Sequence, residues 1–395
     1  MKIKLLIFLS LTAMLTAQGI TVMSDSGLDV TIGGEVEMEF VDVEGPGGFS
    51  NQDLTVQKVK TRSPHMRIDK AILSARVNYS DNLYYHVEFR FGDQDANVDK
   101  HYARLTVPTI NTQFELGKNK PMIATKRQTE GYPLIGTAYW KAREYHLTGL
   151  TDYNLGDNVQ LFTGLSFAMK RPLGTDDAAE DKSFKMMVYD DHLNKNGNTF
   201  EYGVMAGLKA FGFTGQGWYY TSELIDDFDW KTQLGGLPGY DNIADQYNNG
   251  EQNDLTHFWY GGRINFDRWN THIRAEYISS EDGLLPRDGY YVEGSYRFSE
   301  PKFLPVKNIE PIVRYGALNI YRHETVLGDP ETWDREMTTF GLLTRINDNI
   351  SVKIEYYLLD EVTGGGIDTN TATGVETDNS FMKDNQFLLQ VKYEF

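Results

Sequence analysis

Cysteine is missing from all 395 residues, which excludes disulfide staples, thiolate zinc sites and thiol nucleophiles. Positive charge is in deficit: 38 Lys and Arg face 56 Asp and Glu, a net charge of −18, so the chain lacks the basic surface that a nucleic-acid partner requires. Past the first twenty residues no apolar run is long enough to cross a bilayer as a helix. The eight histidines never fall in an HExxH or similar zinc spacing, and no GxSxG nucleophile elbow occurs. Gly364-Gly365-Gly366 is not followed by a lysine in phosphate-loop spacing. The acidic stretches Asp226-Asp227-Phe228-Asp229 and 241 to 254 lack the regular ligand spacing of a calcium loop. The expectation is therefore no enzyme, no metal and no cofactor.

What is present points to β structure with tight turns: 37 Gly, 24 Tyr and 13% aromatic residues. The first residues form a separate unit. Met1-Lys2-Ile3-Lys4 is a basic start, Leu5 to Leu15 a short apolar core, and Thr16-Ala17-Gln18-Gly19 offers small residues for cleavage. Residues 1–17 thus read as an export signal. Its loss takes the charge to −20, because Lys2 and Lys4 leave with it. Residues 18–395 are expected to form a single domain.

From Val30 to the last residue the side chains alternate with period two, the pattern of strands with one apolar and one polar face. The hairpin near 65–91 is the clearest: Ala71, Leu73, Ala75, Val77 and Tyr79, a Ser80-Asp81-Asn82 turn, then Leu83, Tyr85, Val87, Phe89 and Phe91. About sixteen such segments can be counted. Tight turns at 80–82, 108–112, 154–157, 210–211, 267–268 and 347–349 interleave with long connections at 43–64, 119–142, 170–198, 223–254, 320–335 and 361–382. An even strand number, short turns at one end and long loops at the other predict an all-β, transmembrane antiparallel β-barrel of about sixteen strands, with short periplasmic turns and long extracellular loops.

The two faces decide between this barrel and a soluble sandwich. One face is Val, Ile, Leu, Phe and Tyr. The other carries more charge than a dry core can hold: Lys70, Arg76, Arg90, Arg104, Arg263, Arg274, Arg297, Arg314, Arg345, Lys353 and Lys392, alongside Glu35, Glu37, Glu39, Glu88, Glu115, Glu201, Glu276, Glu293, Glu355 and Glu394. An apolar exterior around a polar interior, with no open edge, is what lipid demands of β structure. Barrels of this size enclose water. The inward charges nearly balance, so the wall alone sets no selectivity. Aromatic residues at strand ends, such as Tyr153, Trp218, Tyr219, Trp259 and Trp269, are expected mostly as interfacial girdles.

Two features stand out. Phe387, Leu389, Val391, Tyr393 and the terminal Phe395 alternate with polar neighbours and are similar to the terminal strand signal that the barrel assembly machinery reads in outer-membrane porins. Between Lys118 and Arg143, the bases Lys118, Lys120, Lys126, Arg127, Lys141 and Arg143 face the single acid Glu130, a local charge of +5 in an acidic protein. This is the third connection on the long-loop side, 119–142, expected to fold into the lumen. There, Lys120, Lys126 and Arg127 would form a basic constriction favouring anions. The alternative is a solvated loop that balances acidic neighbours or binds lipopolysaccharide phosphates.

The order of features resembles the phosphate-selective porin O and P family: an exported chain near 400 residues, the hairpin Ala71-Ile72-Leu73-Ser74-Ala75-Arg76-Val77 to Tyr84-Tyr85-His86-Val87-Glu88-Phe89, and Phe114-Glu115-Leu116-Gly117-Lys118-Asn119-Lys120-Pro121 leading into the basic loop. The resemblance covers the barrel as a whole. It implies a homotrimer of sixteen-stranded channels in the bacterial outer membrane, with cations along an anion path that correspond by position to Lys120, Lys126 and Arg127. The inward glutamates and acidic loops depart from that pattern.

The resulting expectation is a porin passing small anions, phosphate or organic acids. A weakly selective channel, or one favouring cations or neutral solutes, and an adhesive or structural barrel with a blocked lumen remain as alternatives. Expected partners are outer-membrane lipid and lipopolysaccharide, the assembly machinery and small solutes.

Overall fold

A segment that alternates Val, Ile, Leu, Phe or Tyr with Glu, Arg, Asn or Thr can serve two different environments only when extended, because successive strand side chains point to opposite faces. Sixteen such segments close on one another here. The computed structural model describes residues 20–23, 28–43, 64–92, 96–131, 144–169, 200–223, 256–282, 285–302, 304–320, 335–361 and 385–395. The proposed export signal, Lys141, Arg143, both acidic stretches and the triglycine lie outside the described residues.

The wall strands are β1 (Asp29–Val43), β2 (His65–Ser80), β3 (Leu83–Phe91), β4 (Ala96–Val107), β5 (Thr112–Asn119), β6 (Glu144–Gly156), β7 (Val159–Met169) and β8 (Phe200–Ala210). They continue as β9 (Phe213–Glu223), β10 (Thr256–Arg268), β11 (Thr271–Asp282), β12 (Leu285–Tyr296), β13 (Asn308–Ile320), β14 (Arg335–Arg345), β15 (Ile350–Glu361) and β16 (Gln386–Glu394). Phe298–Ser299 carries the line of β12 past Arg297 and pairs with β13. Each strand pairs antiparallel with the next, and β16 closes on β1 in the register Glu394↔Glu35 to Gln386↔Val43.

Large apolar side chains cover the outside, among them Leu73, Phe89, Leu116, Leu165, Tyr202, Ile264, Val292 and Phe340. Inside, register sets opposite charges side by side. Arg263 stands across from Glu276, Arg274 from Glu293, Glu293 from Arg314, Arg104 from Glu115, Glu88 from Lys100, and Glu37 from both Lys70 and Lys392. Cross-strand neighbours of opposite charge contribute roughly 0.2–1 kcal/mol each. They also help the inward charges to cancel: many of the glutamates are matched to cations on a neighbouring strand.

The turns differ from the sequence reading at three hairpins: the one expected at 154–157 lies at Asp157–Asn158, and two others shift as well. Those two reversals fall at Phe211–Gly212 and Trp269–Asn270, one and two residues beyond the expected turns. Two-residue hairpins of the favoured hand need positive φ at both central positions. These residues have it, at 52° and 91° for Phe211 and Gly212 and at 54° and 59° for Trp269 and Asn270. Gly212 and Asn270 tolerate that region, so each turn settles on them. The strand expected at 102–107 begins at Ala96, because a register shift beside Asp99 masks the alternation there.

The seam between the first and last strands is tight. Gly34 N–H donates to the Phe395 carbonyl at 3.0 Å and Phe395 N–H to the Gly34 carbonyl at 2.9 Å. Ile20–Met23 pairs with residues 29–32 on the same edge of β1, beyond the reach of β16. A Cβ on Gly34 would lie 2.5 Å from the Ile72 carbonyl oxygen and 2.7 Å from the Phe395 ring. Gly34→Val is therefore expected to cost about 1–3 kcal/mol through overpacking at the closure. In heat-modifiability gels the folded fraction should fall well below that of Gly215→Ala, whose Cβ meets nothing within 4 Å. Equal folded fractions would show that the seam yields.

Candidate functional site

Beyond Asn119 the chain leaves the wall, and its backbone needs new hydrogen-bond partners. A turn forms first, with Ala124 N–H donating to the Pro121 carbonyl at 2.9 Å. The segment 120–131 is then held by inward side chains of β10, β11, β13 and β15. Arg263 donates to the Ile123 carbonyl at 2.8 Å, and Arg274 to the Lys126 carbonyl at 3.2 Å. Gln128 donates to Glu310 at 3.0 Å. Arg314 binds Thr129 Oγ1 at 2.7 Å and the Gly131 carbonyl at 2.8 Å. Glu130 N–H donates to both carboxylate oxygens of Glu355 at 2.9 Å, and Gly131 N–H to the Tyr357 hydroxyl at 2.8 Å. The guanidinium forks suit this work because each offers several donors and no acceptor.

These fasteners are covered by what they hold: Arg314 and Glu355 are 1% exposed and Arg263 and Glu276 3%. Beside them the inner wall of β9 to β12 is packed with aromatic and aliphatic side chains. Tyr220 and Trp259 stack at 4.1 Å with ring planes 8° apart, and the Arg263 guanidinium lies 5.3 Å above the Trp218 ring. Ile278 and Tyr291 are buried on the same inner face. Trp218 and Trp259, read as girdle residues, are 5% and 0% exposed. The reason is parity: Trp218 adjoins the outward Tyr219, so the two cannot share a face, and β9 turns Gly215 and Gly217 outward where other strands place bulk. Tyr153 and Trp269 do face outward.

Arg263→Met should cost about 3–5 kcal/mol, because it strands Glu276 charged and buried. Adding Glu276→Met should return part of that loss. Urea unfolding midpoints measure both, and a double variant no more stable than the single one would sink the argument.

Opposite the fastened side, between the segment and β4 to β6, lies a cavity of about 400 Å³. Lys100, Arg104, Lys120 and Lys126 line it together with Glu115 and His146. Glu115 is saturated. It accepts from Arg104 Nε at 3.0 Å, from His146 at 2.9 Å and from Asn119 at 2.7 Å. Lys100 reaches Glu88 at 2.6 Å. The Lys126 ammonium has no ion-pair partner among the described residues. Four cations therefore line the cavity, of which Lys100 is paired with Glu88 and Arg104 with Glu115.

Arg127 stands apart from the two lysines. Its guanidinium contacts the Glu130 carboxylate at 2.6 Å and also the Glu130 carbonyl, while Lys353 holds the other carboxylate oxygen. Burial raises the Glu130 carboxyl, but Arg127 and Lys353 outweigh it and hold the group well below the usual carboxylate range. Glu130 thus stays charged and cancels much of Arg127. Its carboxylate also comes within 4.8 Å of those of Glu37 and Asp69. That convergence was not legible beforehand, since it joins three distant segments. Lys70 and Lys392 lie 3.1 and 3.5 Å from Glu37, so lysines and arginine already meet the negative charge.

Several inward cations rest against aromatic rings or carboxylates. The Arg76 guanidinium sits 3.7 Å over the Tyr84 ring, and Arg104 lies between Tyr84 and Tyr102 at 5.6 and 5.2 Å. Arg297 pairs with Glu310 at 2.9 Å. Arg90 is half-buried across from Ile72, and Arg345 is exposed beside the turn into β15. On β16, Phe387, Leu389, Val391 and Tyr393 lie on one face, with the Tyr393 and Phe395 rings stacked at 6.1 Å.

Fold and site together describe a sixteen-stranded barrel in which the segment 120–131, from the third connection on the long-loop side, is bound to the inner wall. Solved structures of outer-membrane channels share this architecture. OmpF of Salmonella typhi, in complex with daunomycin, superposes with a TM-score of 0.61 at 14% identity, over 95% of this chain and 100% of that one. The outer-membrane channel DcaP of Acinetobacter baumannii gives 0.57 at 13% identity, over 95% and 99%. An anion-selective porin from Comamonas acidovorans gives 0.55 at 12% identity, over 93% and 100%. At these identities the likeness is one of fold. No protein-family model matches the chain, and no curated protein does.

Proposed function

We propose that the protein is an outer-membrane porin, a water-filled channel for passive diffusion of small solutes, with a preference for anions. The observation that carries this reading is the division of labour among the inward cations. Arg263, Arg274, Arg314, Lys353 and Arg127 are engaged in fastening the 120–131 segment, whereas Lys100, Arg104, Lys120 and Lys126 line the cavity on its other side. In a narrow path between low-dielectric walls, cations so placed raise the local concentration of anions. Arg76, on the same wall, extends the positive side toward the short-turn end.

The apolar exterior and closed seam support an address in a bilayer, and the basic, then apolar, first seventeen residues support export. Homotrimerisation, contact with lipopolysaccharide and recognition of the Phe387–Phe395 strand by the assembly machinery belong to the same reading. The resemblance to the porin O and P family enters as a general anion pathway. Phosphate selectivity finds less support, because Glu115 and Glu88 stand among the path cations.

Single-channel recording of the refolded full chain in a planar bilayer under a KCl gradient tests this. Stable conductance with an anion-favouring reversal potential is expected. A cation-favouring potential removes the anion preference, and absence of conductance removes the channel.

A further inference from the structure

The cavity beside the segment has both charged and apolar lining. Lys100, Lys120 and Lys126 supply charge, while Met122 and Leu150 supply an apolar wall. The two apolar side chains meet over Gly164: a Cβ there would lie 2.8 Å from both Leu150 Cδ2 and Met122 Sδ. Glycine leaves room for that apolar patch to form against the inner wall. Its volume of about 400 Å³ falls within the range of small-molecule sites, about 300–1,000 Å³, and exceeds what a single oxyanion fills.

An inorganic anion seated on the lysines would leave Met122 and Leu150 against water. A carboxylate with an alkyl chain uses both halves, its oxygens on the ammonium groups and its methylenes on the thioether and the leucine. We propose that this cavity is a binding site for amphipathic organic monocarboxylates, preferred over phosphate and over acetate. The proposal rests on the anion-channel reading and narrows it to a solute class.

The test titrates the chloride current of the full-length channel in a planar bilayer with acetate, butyrate, hexanoate and inorganic phosphate. The reversal potential in a KCl gradient is measured on the same membranes. Block should strengthen about two- to fourfold per methylene along the carboxylate series, with phosphate no stronger than acetate. Met122→Ser should flatten the series. An anion-favouring potential with equal block by all four ions, or with none, overturns the proposal and leaves the anion channel standing. A full chain-length dependence in Met122→Ser overturns the assignment to this cavity. A cation-favouring potential overturns the anion-channel reading and the site together.

Discussion

Arg314→Ala is expected to release the 120–131 segment from the far wall, raising single-channel conductance and adding open-level noise. The guanidinium binds Thr129 Oγ1 at 2.7 Å, the Gly131 carbonyl at 2.8 Å and Thr339 Oγ1 at 3.3 Å, and lies 3.6 Å from Glu293. Truncation removes a charged donor from the half-buried Gly131 carbonyl, which keeps only Thr129 Oγ1 at 3.1 Å, a loss of about 1.5–3 kcal/mol, and deprives Glu293 of one of its two arginines. Since about 1.4 kcal/mol is a tenfold change in an equilibrium, even the lower figure raises the population of a released segment about tenfold. Arg314→Lys keeps the charge but loses the fork, and should fall between wild type and the alanine variant. Unchanged conductance and noise in Arg314→Ala would mean that the Glu130 and Gly131 contacts with Glu355 and Tyr357 suffice, or that the segment does not narrow the path.

Much of the barrel was legible in advance because its information is local. Period two, turn residues and the alternation of short and long connections are each read within a dozen residues, and they recover sixteen strands, an apolar exterior and a charged interior. Errors arose where local rules compete. Trp269 reads as a strand residue, yet the hairpin takes it into the turn with Asn270. Trp218 reads as interfacial, yet it shares an inner wall with Tyr220 and Trp259.

The site was only half legible. The excess of lysine and arginine after β5 is visible in composition, but what each cation does depends on partners far along the chain. Glu130 meets Lys353 and Glu355, and Ile123 meets Arg263, across more than a hundred residues. No spacing rule encodes those contacts. Lys100 escaped attention, and Arg104, read as facing the lumen, could not be placed beside the loop, for the same reason: their approach to Lys120 and Lys126 exists only once β4 and β5 pair and the segment turns at Pro121. The described charges of that basic stretch thus have separate roles.

Separate roles predict separate phenotypes. Lys120→Gln combined with Lys126→Gln should lower the ratio of anion to cation permeability severalfold, with little added noise. Two unit charges about 5 Å apart in water interact by about 0.8 kcal/mol, so losing both lysines removes on the order of 1–2 kcal/mol of attraction for an anion in the path, less at high salt. Arg127→Gln removes the same formal charge per site but from a pair already closed by Glu130 at 2.6 Å. Its loss strips Glu130 of one of two cations and should loosen the segment, so noise rises. Selectivity changes less than in the lysine double variant, because the local field loses a cation that was already offset. Reversal potentials at low and high KCl, recorded with open-level noise, separate the two. If Arg127→Gln shifts the reversal potential as far as the lysine pair does, Arg127 acts on the passing ion and its bond to Glu130 does not shield it.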